Sequence, residues 1–279
     1  MFSESISMNL YDFDTFGRYD IGIYGKGHCD LIEVSGLTKY YGDHAALEDL
    51  DFILKEGSVT GFLGPNGAGK STALNMITGY LSPTSGSIRI GGHDLYEEPE
   101  EAKRLIGYLP EVPPVYPELT VRENLEFAAG LRKISGKEMK DEIRRVSEEL
   151  GLSEVENRLG RNLSKGFRQR VGFAMALIGD PKILILDEPT AGLDPKQVIE
   201  IRDLIRKLKK DHTILLSSHI LSEIAEVCDE ILILSEGMKA AQGSLEELRE
   251  KTGRESLEEI FLELTADDEH SAAAGEVKK

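Results

Sequence analysis

The segment 61-GFLGPNGAGKST-72 decides how the rest of the chain is read. Gly64, Pro65, Asn66, Gly67, Ala68, Gly69, Lys70 and Ser71 fit the spacing G-x-x-x-x-G-K-[ST]. "SVTGFLG" before the glycines is a short apolar strand, and "KSTALNMITGYL" after them reads as a helix over 70–81. Glycines allow successive backbone N–H groups to point inward around phosphate oxygens. Lys70 then places a positive charge on the outer phosphates, the Ser71 hydroxyl can ligate magnesium, and the helix start adds its dipole. The alternative is a bare glycine turn. A strand before the loop and a helix after it weigh against that.

A phosphate-bound magnesium needs a carboxylate at the end of a neighbouring buried strand. "ILILDEPT" supplies one at Asp187, and Glu188 follows as a group that can polarise a water for attack on the terminal phosphate. Without the loop at 64–71 these two acids would be as well explained as solvating a strand end. "NLSKGFRQRVGFAMAL", residues 162–177, raises a further question. Ser164 sits where a helix cap belongs and Gly166 lets the backbone approach a ligand, so a second helix start suits an anion. Taken alone, the stretch would be a capped helix with no ligand.

Working outward, "LIEVSGLT" and "EDLDFIL" alternate like strands, and "GSIRIGGHDL" reads as a strand and glycine turn, a hairpin. "LIGYLP" is a strand stopped by Pro110. From Glu111 to about 163 strand signals vanish. "EVPPVYPELT" is a proline-rich connector, and two helices follow, the first with Thr120 as cap and Glu123 three residues on. After this helical insert, "KILILD", "TILLSS" and "EILILSEG" are apolar strands separated by helices. They imply a mostly parallel sheet covered on both faces. The helix after Asp194 carries Val198, Ile201, Leu204, Ile205 and Leu208 on one stripe. The expected architecture is α/β: a P-loop NTPase core, an antiparallel β subdomain and a helical insert at about 111–163. Residues 1–30 form an extension of unknown structure, 31–245 the main domain, and 246–279 C-terminal helices with a solvated tail. In those helices Leu257, Ile260, Phe261 and Leu264 share a stripe, read as packing on the chain's own domain.

The 279 residues carry 50 acidic and 33 basic side chains, a formal charge of −17, which argues against nucleic-acid binding. Cys29 and Cys228 are too few for a disulfide framework and read as reduced thiols. No apolar run approaches the ~18 residues of a membrane span, and the N-terminus lacks the features of a signal peptide. The expected location is cytoplasmic.

"GPNGAGKST", "LSKGF", "LILDEPTAGLDP" and "LLSSH" occur in that order over about 31–245, and together they resemble the ATP-binding subunit of an ABC transporter. "IGYLPEVPPVYPELTVRENL" and "TGRESLEEIFLELT" look most like export-type subunits whose permease is a separate polypeptide. The resemblance implies ATP and magnesium as cofactors, ATP hydrolysis, and head-to-tail pairing with a second nucleotide-binding subunit, read as a copy of the same chain. It also implies a peripheral position on the inner face of the membrane through the permease.

It answers the question of the second helix start: Ser164 and Gly166 would face the ATP held by the partner's loop. Tyr41 would stack on adenine, Thr72 would reach the α-phosphate, and His219 the terminal phosphate. Asp194 would meet the partner, and it also suits a helix cap before Pro195. Val112, Val115 and Tyr116 would be permease contacts. Three positions depart from the family. Lys165 replaces a glycine, either adding charge near the phosphate or facing solvent. Phe167 replaces a glutamine and could pack on the insert. Glu111 replaces a glutamine at the magnesium, implying retained ATPase activity with altered metal dependence. The rival reading is a soluble ABC-type ATPase not coupled to transport; the lack of a long coiled-coil insertion and the acidity count against its DNA-repair form.

Overall fold

A computed structural model describes residues 30–266. The N-terminal extension, with Cys29, and the C-terminal tail beyond 266 lie outside the described residues. The described residues open with a long antiparallel hairpin, β1 (Asp30–Tyr41) and β2 (His44–Lys55), turning at Gly42–Asp43. Next come β3 (Val59–Leu63) and α1 (Lys70–Ile77). The hairpin β4 (Ser85–Ile90) and β5 (His93–Asp94) follows, then α2 (Pro99–Arg104) and β6 (Ile106–Leu109). Two helices, α3 (Val121–Leu131) and α4 (Gly136–Glu149), lead through 3-10 turns at Ser153–Val155 and Gly160–Asn162 into α5 (Lys165–Leu177). The remainder alternates: β7 (Ile183–Asp187), α6 (Pro195–Leu208), β8 (Thr213–Ser217), α7 (Leu221–Val227), β9 (Glu230–Ser235) and β10 (Met238–Gly243). Helices α8 (Leu245–Thr252) and α9 (Leu257–Thr265) are the last of the described elements.

Two sheets result. One is antiparallel in the order β2-β1-β4-β5; the other runs β10-β9-β3-β8-β7-β6 and is parallel except for β10. The uninterrupted apolar strands of the larger sheet explain its position. Successive side chains point to opposite faces, so a strand apolar at every position needs cover on both sides. Ile183 and Ile185 of β7, Leu215 of β8, and Leu232 and Leu234 of β9 enter a core shared with α1 and the antiparallel sheet. Leu184 and Leu186, Ile214 and Leu216, and Ile231 and Ile233 enter the opposite core, shared with α3, α4 and α5. Each such buried Leu or Ile contributes about 1.5–3 kcal/mol of transfer free energy.

The expected helix over 70–81 stops at Ile77, because Gly79 takes φ +68° and the chain turns away. Thr120 and Glu123 form the reciprocal capping box expected at the start of α3. The insert returns next to where it leaves: Val121 N donates to Arg158 O, Gly160 N to Leu119 O, and Thr120 pairs with Leu159. Helix α5 extends the run of helices beyond 163, to Leu177. On the C-terminal stripe, Leu257 and Ile260 are buried, with Phe261 and Leu264 packed against the same core.

Candidate functional site

The carboxyl ends of β3, β7 and β8 lie side by side, and the loops leaving them, with the turn end of the β1–β2 hairpin and Glu111 after β6, enclose a cleft of about 510 Å³. Open parallel sheets place ligands at this edge. The cleft is lined by Tyr41, His44, Ala46, Asn66, Gly67, Gly69, Lys70, Ser71, Thr72, Glu111, Asp187, Glu188, Ala191 and His219.

The loop 64–69 passes from β3 into α1, and Gly69 is its tightest point. Its φ is +96°, and a Cβ there would lie 2.5 Å from the Ala46 carbonyl oxygen. Any side chain would force the loop off the start of β2. Lys70 begins α1 and folds back over the loop, donating from Nζ to the Gly64 carbonyl at 2.6 Å and the Pro65 carbonyl at 3.1 Å. Burial lowers the Lys70 pKa, while the charges of Glu188 and Asp187 oppose that shift.

Register pairs Asp187 with Ser217, so β7 and β8 end together. The Ser217 hydroxyl donates to Asp187 Oδ1 at 2.5 Å and accepts from Glu188 N at 3.0 Å. Burial holds the Asp187 carboxyl above its usual range. The Ser217 hydrogen bond opposes this, the Glu111 charge adds to it, and the Lys70 charge opposes it. Glu188 adopts φ +47°, a left-handed conformation that a non-glycine residue keeps only when its surroundings enforce it. Its Oε2 lies 2.7 Å from His219 Nδ1. In the tautomer that donates from Nδ1 to this carboxylate, Nε2 is left for a second contact.

Ser71, Asp187 and Glu111 bring a hydroxyl and two carboxylates to one cleft. These are hard oxygen donors of the kind magnesium takes alongside phosphate oxygens. The Asp187 and Glu111 charges oppose each other, and a divalent cation relieves that repulsion. Among the described residues no cluster of three His, Cys, Asp or Glu side chains forms a metal cage.

Not every residue singled out in the sequence reaches this cleft. Gly64 and Pro65 serve as acceptors for Lys70, and the amide of Ala68 closes the turn on the Pro65 carbonyl. Ser164, Gly166 and Asp194 line no part of it. Ser164 caps α5, its Oγ accepting from Phe167 N at 3.3 Å, and Asp194 caps α6 through Gln197 N at 3.0 Å. The two caps adjoin: a Cβ on Gly166 would strike the Gln197 side chain at 2.7 Å. The Lys165 side chain reaches the loop before α6, its Nζ occupying the space a side chain at Gly192 would need. Phe167 is half-buried against the larger core. The motifs did not single out His44, Ala46, Ala191 or Ser217. "LLSSH" did display Ser217, but its contact with Asp187 depends on which strand lies next to which.

A phosphate loop, a strand-end carboxylate and an adjoining glutamate on a mostly parallel sheet define a P-loop nucleotide-hydrolysing protein. The comparisons narrow this class. Residues 47–191 match the family model described as ABC transporter. The bacitracin transport ATP-binding protein BcrA of Bacillus licheniformis is 40% identical over 244 residues, covering 87% of this chain and 77% of that protein. A solved ATP-binding subunit of an ABC transporter superposes with a TM-score of 0.77 at 35% identity, over 84% of this chain and 99% of that one. The bacterial ABC transporter cassette MJ0796, solved as a dimer, gives 0.69 at 29% identity, over 77% and 99%. The chain belongs to the ABC transporter ATP-binding family and has its ATPase fold. Among the described residues no helix is long and apolar enough to cross a membrane.

Proposed function

We propose that this chain hydrolyses ATP as the cytoplasmic motor of an export-type transporter, pairing with a second copy of itself and driving a separate permease. The observation that carries the pairing is the division between the two phosphate-directed features. Lys70, Asp187 and Glu188 share one cleft, whereas the Ser164-capped start of α5 stands outside it. A helix start equipped with a serine and a close-approach glycine but turned from its own nucleotide suits a nucleotide supplied by another chain. The likeness to a cassette solved as a dimer supports that arrangement, and the likeness to a bacitracin transport subunit supports a role in transport. In this reading the ATPase domain is 31–245, and the connector at Val112, Val115 and Tyr116 meets the permease.

Tyr41 stacks on the base. Backbone N–H groups of the loop between Asn66 and Thr72, apart from the Ala68 amide spent on Pro65, hold the phosphates together with Lys70. Ser71, Asp187 and Glu111 would hold magnesium, which when bound neutralises charge on the outer phosphates. Glu188 accepts the proton of the attacking water, and His219, oriented through Nδ1, presents Nε2 to the terminal phosphate. Two ATP molecules between two chains supply cohesion, and loss of their terminal phosphates removes it.

Mixing two defective proteins tests the shared site. Lys70→Ala disables the loop and Ser164→Glu places a negative charge at the helix start; each alone is expected to be inactive. In a mixed dimer one site combines the intact loop of one chain with the intact helix start of the other. Mixing should therefore restore a substantial fraction of wild-type ATPase activity. A mixture as inactive as its components would overturn the pairing.

Glu111 gives a narrower test. Glu111→Gln removes one charge from the metal's surroundings and should raise the half-saturating magnesium concentration by roughly fivefold, about 1 kcal/mol of lost attraction. A magnesium titration of ATPase rate that superposes on wild type would remove Glu111 from the metal site.

A further inference from the structure

A buried acid behind the cleft has no part in the account so far. Glu223, on α7, is only 5% exposed and forms no ion pair among the described residues. Burial of a carboxylate without a cation is costly unless hydrogen bonds satisfy it. Glu223 receives two on one oxygen: Thr190 Oγ1 donates to Oε2 at 2.7 Å and Ser218 Oγ to the same atom at 3.4 Å. Both hydroxyl residues are buried, Thr190 at 4% and Ser218 at 1% exposure. Ser218 Oγ also accepts from Ile220 N at 3.0 Å, which fixes how its own proton points.

The two donors come from different loops. Thr190 lies two residues beyond Glu188 after β7, and Ser218 immediately precedes His219 after β8. The facing groups of those loops, Glu188 Oε2 and His219 Nδ1, are 2.7 Å apart, and Glu188 is held at φ +47°. Ser217 joins the two strand ends at Asp187 and Glu188 N; beyond it, the strained backbone and the short side-chain contact between the loops call for a further tie. We infer that Glu223 is a positioning residue for ATP hydrolysis: from within the core it ties together the loops that carry Glu188 and His219 and sets the distance between them. This rests on the roles proposed above for those two residues. Glu223 touches no substrate; it acts by holding both loops with a single oxygen.

The acceptor oxygen, more than the charge, performs this task, which separates the substitutions. Glu223→Gln keeps an oxygen able to take both hydroxyl protons, while Glu223→Met keeps the approximate volume and removes it. In the purified full-length chain with magnesium and ATP, Glu223→Met is expected to lower kcat by about ten- to a hundredfold, as misplaced reacting groups do. KM and the affinity for a fluorescent ATP analogue should stay within twofold of wild type. Glu223→Gln should recover most of the lost rate. Rates are to be normalised to the fraction of chains that bind nucleotide, so that loss of folded protein does not imitate the effect. Should Glu223→Met fail to fold, the Thr190→Val, Ser218→Ala double variant removes the same two bonds and should show the same split.

A kcat within twofold of wild type, in Glu223→Met or in the double variant where the former does not fold, overturns the inference. A parallel fall in ATP affinity, or a Gln variant as slow as Met, does so too. Glu188→Gln run alongside separates the two levels. Full turnover there defeats the assigned role of Glu188; lost turnover there with an active Glu223→Met defeats only the tie.

Discussion

Glu188→Gln should lose about a hundredfold or more in turnover while binding ATP as wild type does. The substitution is nearly isosteric, and the amide oxygen can still accept from His219 Nδ1, so the 2.7 Å contact can survive. Glu188 N keeps its bond to the Ser217 hydroxyl, because the backbone is unchanged. What disappears is a basic group able to take a proton from water. Lys70, Ser71 and the loop amides are untouched, so nucleotide affinity has no reason to fall. If ATP is what joins two chains, an enzyme that binds and cannot hydrolyse should accumulate as a dimer. Sedimentation velocity with and without ATP reads this directly. Retained turnover would exclude Glu188 as the base, and an ATP-loaded variant that sediments as a monomer would count against the pairing.

Lys70→Ala acts a step earlier and should weaken ATP binding by at least roughly a hundredfold, about 3 kcal/mol for a charge-assisted contact. Lys70 is the cation whose charge offsets Asp187 and Glu188 in the cleft. Without it, incoming phosphates meet the acidic pair with one fewer compensating charge. The Gly64 and Pro65 carbonyls also lose the donor that spans the loop. Titration with a fluorescent ATP analogue gives the affinity. Binding within threefold of wild type would show that the glycine loop does not hold the phosphates as assigned.

The two predictions rest on parts of the molecule that differ in how far they could be read from sequence. The loop at 64–71 is local: eight consecutive residues, a strand before and a helix after, so spacing alone conveys its geometry. Asp187 and Glu188 were readable for the same reason, at the end of an apolar run. The strands β3, β7, β8 and β9 stood out because burial on both faces fills them mostly with apolar residues and leaves the polar ones chiefly at their ends. Helix α2 did not, since "PEEAKR" is six residues with one buried side chain and no periodic stripe. The partners of Asp187 lay further from view. Ser217 is thirty residues away in sequence, and it meets Asp187 only because β8 lies beside β7 in one register. Glu223 is farther still, since its hydroxyl donors come from two loops and it stands on a third element. The second helix start was recognisable as a motif, yet its place outside the cleft follows from the path of α5.

The segment between Thr120 and Leu159 leaves and re-enters the domain at neighbouring points, joined by backbone hydrogen bonds across its neck. Its excursion is thus already closed, whatever its length. For a closed excursion the entropy of bringing the ends together grows only logarithmically, about 0.6 kcal/mol for each doubling. Insertions at its outer turns would leave the strand order behind it undisturbed. That makes this lobe the place where relatives of the chain can diverge in size at small thermodynamic cost.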